Sequence, residues 1–357
     1  MCGITGFYNF DNKTPDVSLL HKMGDIIAHR GPDNAGYYTN VDGIGFCHRR
    51  LSIIDLSEKG NQPMTSEDKS IWLTYNGEIY NYKELKEELV LKGYKFKTES
   101  DTEVIINAYL EYNEDCVKRF NGMFAFSLWD VNKKKFFSAR DRIGIKPYYY
   151  YSNSKVFVFA SEIKSILLHP DVKKEPNDDA ISNYLLFDHP VNNQTWFKDI
   201  YTLEPGSYIT IKNNHIEKKK YWEIDFKVDY ERSYDSFKKE LKNTILDAVK
   251  LHWQSDVPVG AHLSGGVDSS TIVSIASKYL KKNLHTFSSV FDLDSVNYLN
   301  KIQNYFKISS GDNNFYDLIK KVAKLNKELI ISTGAADLDQ IVKIYNIVKN
   351  IRKRKKL

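Results

Sequence analysis

"MCGITGF", residues 1–7, sets a thiol at the second position, directly ahead of an apolar run. Removal of the initiator Met ahead of this small residue would make Cys2 the chain terminus, with its α-amine and its thiol on one residue. An α-amine has a reference pKa of about 7.7–8.0, so it serves as a base near neutral pH without a separate histidine. One residue then supplies both nucleophile and base.

Four polar clusters accompany it, each placed at a loop or a strand end: "HRGPDNAGYY" (29–38), "HRRLSIIDLS" (48–57), "NGEIYNY" (76–82) and "SDTEVI" (100–105). Together they hold what amide hydrolysis needs. An arginine grips a carboxylate bidentately, an Asn side chain and a glycine N–H stabilise an oxyanion, and an aspartate binds an ammonium group.

The elements around these clusters read as layered α+β. "SIWLTY" (70–75) is a strand ending at "NGE"; "MFAFSLWD" with "KKFFSARD", and "KPYYYY" with "KVFVFASE", are hairpins. "VSLLHKMGDIIAHRG" has helical spacing, and "YKELKEELVLKG" is a helix ending on a capping Gly93. From about 166 to 232 a polar connecting region follows, with strands at "EPGSYITI" and "EKKKYWEI". A helix at "SFKKELKNTILDAVKLHW" then precedes alternating strands and helices, which implies a parallel sheet.

Within that alternation, "SGGVDSS" (264–270) sits between a strand and a helix. It lacks the lysine of the GxxxxGK[ST] loop. Its glycines admit an anion close to the backbone, and Ser264, Ser269 and Ser270 donate to phosphate oxygens, aided by the helix N-terminus. Asp268 reads equally as a helix cap.

Bulk composition excludes other classes. The 357 residues are 42% hydrophobic and 27% charged, those of a soluble globular chain of two or three domains. The net charge of +5 is dispersed, and "IRKRKKL" (351–357) is the one concentrated basic patch, so no nucleic acid or membrane partner is expected. Cys2, Cys47 and Cys116 form no CxxC pair and suggest no disulfide framework. No leader and no apolar run of about 18 residues is present, and a cytoplasmic setting is expected.

On these clusters, and on "GMFAFSLWD", "RDRIGIKPYYY" and "FASEIKSIL", residues 2–290 resemble the glutamine-hydrolysing asparagine synthetases, class II amidotransferases with an N-terminal-nucleophile glutaminase domain. The resemblance implies an α+β glutaminase domain, a layered α/β sandwich, at 2–165. A connecting region at 166–232 follows, then the start of an incomplete parallel-sheet ATP-pyrophosphatase-like domain at 233–290. It implies Cys2 as nucleophile and Asn76 with Gly77 as oxyanion hole. Arg50 with Leu51, Ser52, Ile53 and Ile54 would hold the glutamine carboxylate, and Glu78 with Asp101 its amino group. Arg30, Gly31, Pro32 and Asp33 shape the pocket, Arg49 pairs with a carboxylate or acts in catalysis, and His29 and His48 pack or hydrogen-bond. Leu263, Ser264, Gly265, Gly266, Asp268, Ser269 and Ser270 would bind ATP, with Mg2+ accompanying the nucleotide and no metal-ligating residues of the chain's own. The implied reaction turns aspartate into asparagine through an aspartyl-adenylate, with a homodimer as assembly. Two alternatives stand beside it: a glutaminase whose synthetase half is truncated, and an amidotransferase for another acceptor such as a sugar carboxylate.

Beyond residue 290 the likeness changes. "FKISSGD" and "LIISTGAADLDQI" make 291–357 resemble a βα fragment of the sialic-acid synthases, in which Lys307, Ser310 and Ser332 would meet a phosphate. Two βα units are too few to close a barrel of eight, so that site is not expected to form here.

Overall fold

The computed structural model describes residues 1–264, 266–280, 284–289, 293–301, 304–309, 312–325, 327–334 and 336–353. The chain divides into two compact units, Met1–Asp229 and Tyr230–Leu357.

The first unit opens on β1 (Gly3–Asn9), crosses α1 (Val17–Asp25) and returns through β2 (Asn34–Thr39) and β3 (Ile44–Arg50). α1 begins where it does because the Asp16 side chain accepts from Ser18 N–H at 2.8 Å. β4 (Met64–Thr65) and β5 (Ile71–Ile79) lead to α2 (Tyr82–Leu91), α3 (Asp101–Tyr112) and α4 (Cys116–Arg119). α2 stops just ahead of Gly93, whose φ of +94° suits the expected cap. β6 (Gly122–Asp130) with β7 (Lys135–Arg140), and β8 (Tyr149–Ser152) with β9 (Val156–Ala160), are the two antiparallel hairpins expected. α5 (Ile163–Ile166) and α6 (Asp178–Phe187) precede β10 (Ile200–Thr202), β11 (Ser207–Lys212) and β12 (His215–Lys220).

These strands form two six-stranded sheets, ordered β10-β8-β9-β1-β3-β2 and β12-β11-β7-β6-β5-β4. Period-two alternation lets each sheet carry two cores. Ile4, Tyr8 and Phe46 of one sheet meet Ala125, Trp129 and Phe136 of the other, so the sheets pack face to face. The outer face of the second sheet, with Phe124, Phe126 and Leu128, is covered by α2, α3 and α4. α1 and α5 cover the outer face of the first, on Phe7 and Val158. Each fully buried phenylalanine contributes roughly 1.5–3 kcal/mol. Region 166–232 completes one end of each sheet, β10 as an edge against β8, and the β11–β12 hairpin against β7 with β12 at the edge.

One element departs from expectation. β5 does not end at "NGE" but runs through Asn76, Gly77 and Glu78, because β6 pairs with it from Ile71↔Asp130 to Ile79↔Gly122. Glycines permit that close pairing: a Cβ on Gly77 would stand 2.3 Å from Met123 O, and one on Gly122 2.3 Å from Glu78 O.

The second unit contains α7 (Tyr234–His252), β13 (Gly260–His262), α8 (Val267–Leu280), β14 (His285–Ser289), α9 (Leu293–Leu299), β15 (Tyr305–Ile308), α10 (Tyr316–Ala323), β16 (Glu328–Ile331) and α11 (Leu338–Lys353). Its strands are parallel in the order β13-β14-β15-β16, with a helix in every crossover. Val296, Phe306, Leu318 and Val322 form one small core, and Ile308, Ile319 and Ile344 another. The run "VPVGAHL" contributes only three paired residues, and α7 leaves Phe237 and Leu241 exposed.

Candidate active site

Cys2 directly precedes β1, a strand held between β9 and β3. Its Sγ accepts from Leu51 N–H at 3.4 Å and lies 3.6 Å from Leu51 O. Arg30 donates Nε to Cys2 O at 3.0 Å and Nη1 to Glu162 at 3.1 Å, while His29 Nε2 contacts the same carboxylate oxygen at 2.8 Å. Arg30 thereby fixes the backbone of Cys2, and it is not among the residues that line the cleft. Burial pushes the thiol pKa up, against the Leu51 N–H that pulls it down. A thiol so placed stays protonated near neutrality and needs a base.

The cleft over Sγ is lined by Met1, Cys2, Arg50, Leu51, Ile53, Ile54, Asn76, Gly77, Glu78, Asp101 and Lys146, among others. Asn76 is 1% exposed, and its Nδ2 is buried with no hydrogen-bond partner. Such orphaned donors are rare and costly unless a ligand completes them. Gly77 offers a second donor by strand geometry. Tyr75 N–H reaches Gln62 Oε1 at 2.7 Å and Ile79 N–H reaches Asp101 Oδ2 at 2.9 Å, both on the edge away from β6. Backbone N–H direction alternates along a strand, so Gly77 N–H points to that same edge.

Two carboxylates stand beyond this pair. Asp101, in the first turn of α3, accepts from Tyr75 Oη at 2.7 Å as well as from Ile79 N–H. Burial raises its pKa despite these bonds. Glu78 is pushed up to about 7, by burial first and then by the Asp101 charge, while Lys146 opposes. An ammonium group between them would relieve both.

Arg50 is buried, and its guanidinium is taken up by the loop that follows. Nη1 donates to Ser57 O at 2.7 Å and Asn61 Oδ1 at 2.8 Å, and Nη2 to Asp55 O. It thereby holds Leu51–Ile54 against the cleft. Ser52 gives its N–H to Asp33 at 2.8 Å. Arg49 pairs with Asp25 and donates to Gly24 O, which is the structural role of its two expected ones. His48 is buried and contacts Tyr75 O through Nε2 at 3.0 Å; burial pushes its pKa down to about 3, so it stays neutral.

Lys146, Gln62 and Tyr75 are among the residues of this cleft that were not singled out from sequence. Gln62 bridges Tyr75 N–H and Thr102 Oγ1, tying β5 to α3. A polar residue ahead of Pro63 gives little local signal of that bridge. Lys146 lies inside "RDRIGIKPYYY", where it was read only as the start of a hairpin strand and as part of a likeness.

In the second unit "SGGVDSS" runs from just past β13 into α8, the strand-to-helix placement expected. Ser264 Oγ lies 3.0 Å from Ser269 Oγ, and Gly266 N–H donates to Ser264 Oγ at 3.4 Å. Leu263 N–H extends the strand contact to Phe287 O at 2.8 Å. Asp268 occupies the first turn of α8, followed by Ser269 and Ser270, and the loop is exposed. Gly265 lies outside the described residues, as does Ser310. Lys307 lies on β15 and Ser332 just past β16, where Ser332 N–H bonds Ile308 O. Among the described residues no group of three or more His, Cys, Asp or Glu could hold a metal ion.

Residues 1–222 match the glutamine amidotransferase domain family, and residues 240–348 match the asparagine synthase family, a match that runs across residue 290. Glutamine-hydrolyzing asparagine synthetase 1 of Bacillus subtilis is 42% identical over 297 residues, 82% of this chain and 46% of that protein. A putative glutamine-hydrolyzing asparagine synthetase 2 of Methanocaldococcus jannaschii is 39% identical over 359 residues, 92% of this chain and 68% of that one. The chain thus spans about half the length of the first relative and about two thirds of the second. Among solved structures, glutamine phosphoribosylpyrophosphate amidotransferase of B. subtilis aligns at 12% identity with a TM-score of 0.43, covering 98% of this chain and 89% of that one.

Proposed function

Because the chain belongs to the family of glutamine-hydrolysing asparagine synthetases, we propose that it hydrolyses glutamine at Cys2 and uses the ammonia to amidate aspartate through an aspartyl-adenylate, giving asparagine, AMP and pyrophosphate. On this reading residues 2–165 form the glutaminase domain, 166–232 connect it, and 233–290 open the synthetase domain.

Once Met1 is removed, the Cys2 amine takes the thiol proton and Sγ attacks the glutamine amide carbon. The oxyanion accepts from Asn76 Nδ2 and Gly77 N–H. The amine then returns its proton to the departing ammonia, leaving a thioester at Cys2. Water, deprotonated by the same amine, cleaves the thioester to glutamate and restores the thiol. Glu78 and Asp101 hold the substrate ammonium, and Arg50 its carboxylate, after yielding some of its contacts with the 54–61 loop. The observation that carries the reading is the Asn76 amide, a buried donor without an acceptor in the cleft that holds the half-buried Cys2 thiol.

Leu263 to Ser270 would cradle the ATP phosphates through backbone N–H groups and the three serines. Mg2+ would come with the nucleotide, because the described residues form no cage of carboxylates; it would neutralise phosphate charge. Among the described residues no helix is long and apolar enough to cross a membrane, and we place the reaction in the cytoplasm. A homodimer is the proposed assembly, by family analogy.

Two assays test this in sequence. Glutamate release from glutamine, lost in Cys2→Ala, tests the first half; retained activity in that variant removes Cys2 from its role. Aspartate-dependent pyrophosphate release from ATP tests the second half, and glutamate release without it limits the chain to a glutaminase.

A further inference from the structure

The loop after β7, "RDRIGIK" (140–146), is bonded far beyond what a surface turn requires. Asp141, fully buried, accepts from the backbone N–H groups of Phe124 at 3.1 Å and of Ile145 and Lys146 at 2.9 Å each. Arg140 donates Nε to Lys146 O at 2.8 Å and Nη2 to Gly144 O at 2.8 Å. Its Nη1 reaches Thr202 Oγ1 at 2.8 Å and Leu203 O at 2.7 Å. Gly144, at φ +71°, closes the turn in the left-handed region. Both backbone polar groups of Lys146 are thereby fixed. Its side chain, in a residue only 4% exposed, enters the cleft that holds Cys2 and Glu78.

There its Nζ has a sulfur for company, Met1 Sδ at 3.4 Å. A thioether is a weak acceptor, and it leaves with Met1. No carboxylate lies within ion-pair distance of Nζ among the described residues. A buried ammonium without an ion partner is costly, and this one shares its cleft with the Cys2 thiol.

We infer that Lys146 is a positioning residue of the glutaminase reaction: its ammonium keeps the N-terminal α-amine in the base form and stabilises the Cys2 thiolate as the proton leaves. The inference rests on the glutaminase reading above. The surrounding charges are Arg30 from the segment before β2, which acts in the same sense, and Asp33, Asp101 and Glu78, which oppose it. Even on Met1, one residue ahead, the amine is held below its ordinary value, by burial first and then by Arg30 and Lys146, against Cys2 and Asp33. Lys146 likewise pulls the Cys2 thiol down against the burial that raises it.

The test is the pH profile of glutamine hydrolysis in Lys146→Met, with Lys146→Arg as the variant that keeps the cation. Loss of the charge raises the pKa of the amine and of Glu78 alike, so the comparison is made in Glu78→Gln protein, where the amine alone sets the ascending limb of kcat/KM; there Lys146→Met moves the limb up by about one pH unit. The Arg variant restores the limb. A limb unmoved in folded Lys146→Met protein overturns the inference, since lost packing would lower the plateau without shifting the limb. Lys146→Gln replaces the Met variant if that one does not fold. Alkylation of Cys2 by iodoacetamide across pH, followed by peptide mass, reads the same electrostatics without turnover. Its profile is expected to shift upward too, and identical profiles in wild type and variant overturn the inference even if the chain releases no glutamate.

Discussion

Replacing Asn76 with alanine takes a donor from the Cys2 cleft and no hydrogen bond of its amide nitrogen from the fold. Nδ2 is buried without a partner, and a group in that state costs the native protein about 1–3 kcal/mol rather than stabilising it. Truncation should therefore leave thermal stability unchanged or slightly raised. In the reaction the same nitrogen donates to a full oxyanion, and loss of one such donor lowers kcat by about 10²–10³, or roughly 2.7–4 kcal/mol. KM for glutamine should barely change, because the ground-state carbonyl carries little of that charge. Glutamate release at saturating and limiting glutamine, together with a thermal melt of each protein, separates the two effects. A kcat within threefold of wild type refutes the oxyanion role. So does a fall in Tm of about 6 °C or more, which at roughly 2–4 °C per kcal/mol for a unit of this size would make Asn76 a structural residue.

Glu78, with its pKa pushed up to about 7, attracts an ammonium only when ionised, so kcat/KM for glutamine should fall as pH drops through 7. In Glu78→Gln that ionisation disappears, KM rises about tenfold, equivalent to about 1.4 kcal/mol, and the acid limb keeps only the slope of the amine. An unchanged limb in this variant would remove Glu78 from substrate binding. His48 bears on stability instead. Its folded pKa of about 3 lies below the ordinary histidine value of about 6.5, so its contribution is complete above pH 6.5 and is lost as pH falls from there toward 3. The slope is up to about 1.4 kcal/mol per pH unit. Urea unfolding at successive pH values should show that slope in wild type and a shallower one in His48→Gln.

Sequence reading went furthest where local pattern and pairing agree. "MFAFSLWD" and "KKFFSARD" alternate with period two around a polar turn, and they fold as the β6–β7 hairpin with one face toward helices and the other toward the opposing sheet. The clusters at 48–57 and 100–105 were legible because the end of β3 and the start of α3 bring them to the cleft that holds Cys2. The end of β5 was not, since "NGE" reads as a turn and only its pairing with β6 keeps it extended. Lys146 escaped notice for a related reason. A lysine in a glycine-containing turn reads as solvated, and what buries it is a set of long-range bonds from Arg140 to Thr202 and Leu203. In the second unit, "VPVGAHL" looked like a longer strand than its three paired residues, because apolar content does not report where a parallel partner stops.

Chain termini ordinarily fray, yet β1 is an interior strand, flanked by β9 on one side and β3 on the other. Met1, directly ahead of Cys2, lines the cleft that holds that cysteine. An affinity tag fused to the front of this protein would bar the trimming that frees the cysteine amine in the proposed reaction. Recombinant material belongs with its handle at the other end. A front-end fusion cut by a protease that leaves cysteine first would instead be a dormant precursor, switched on by a single cleavage.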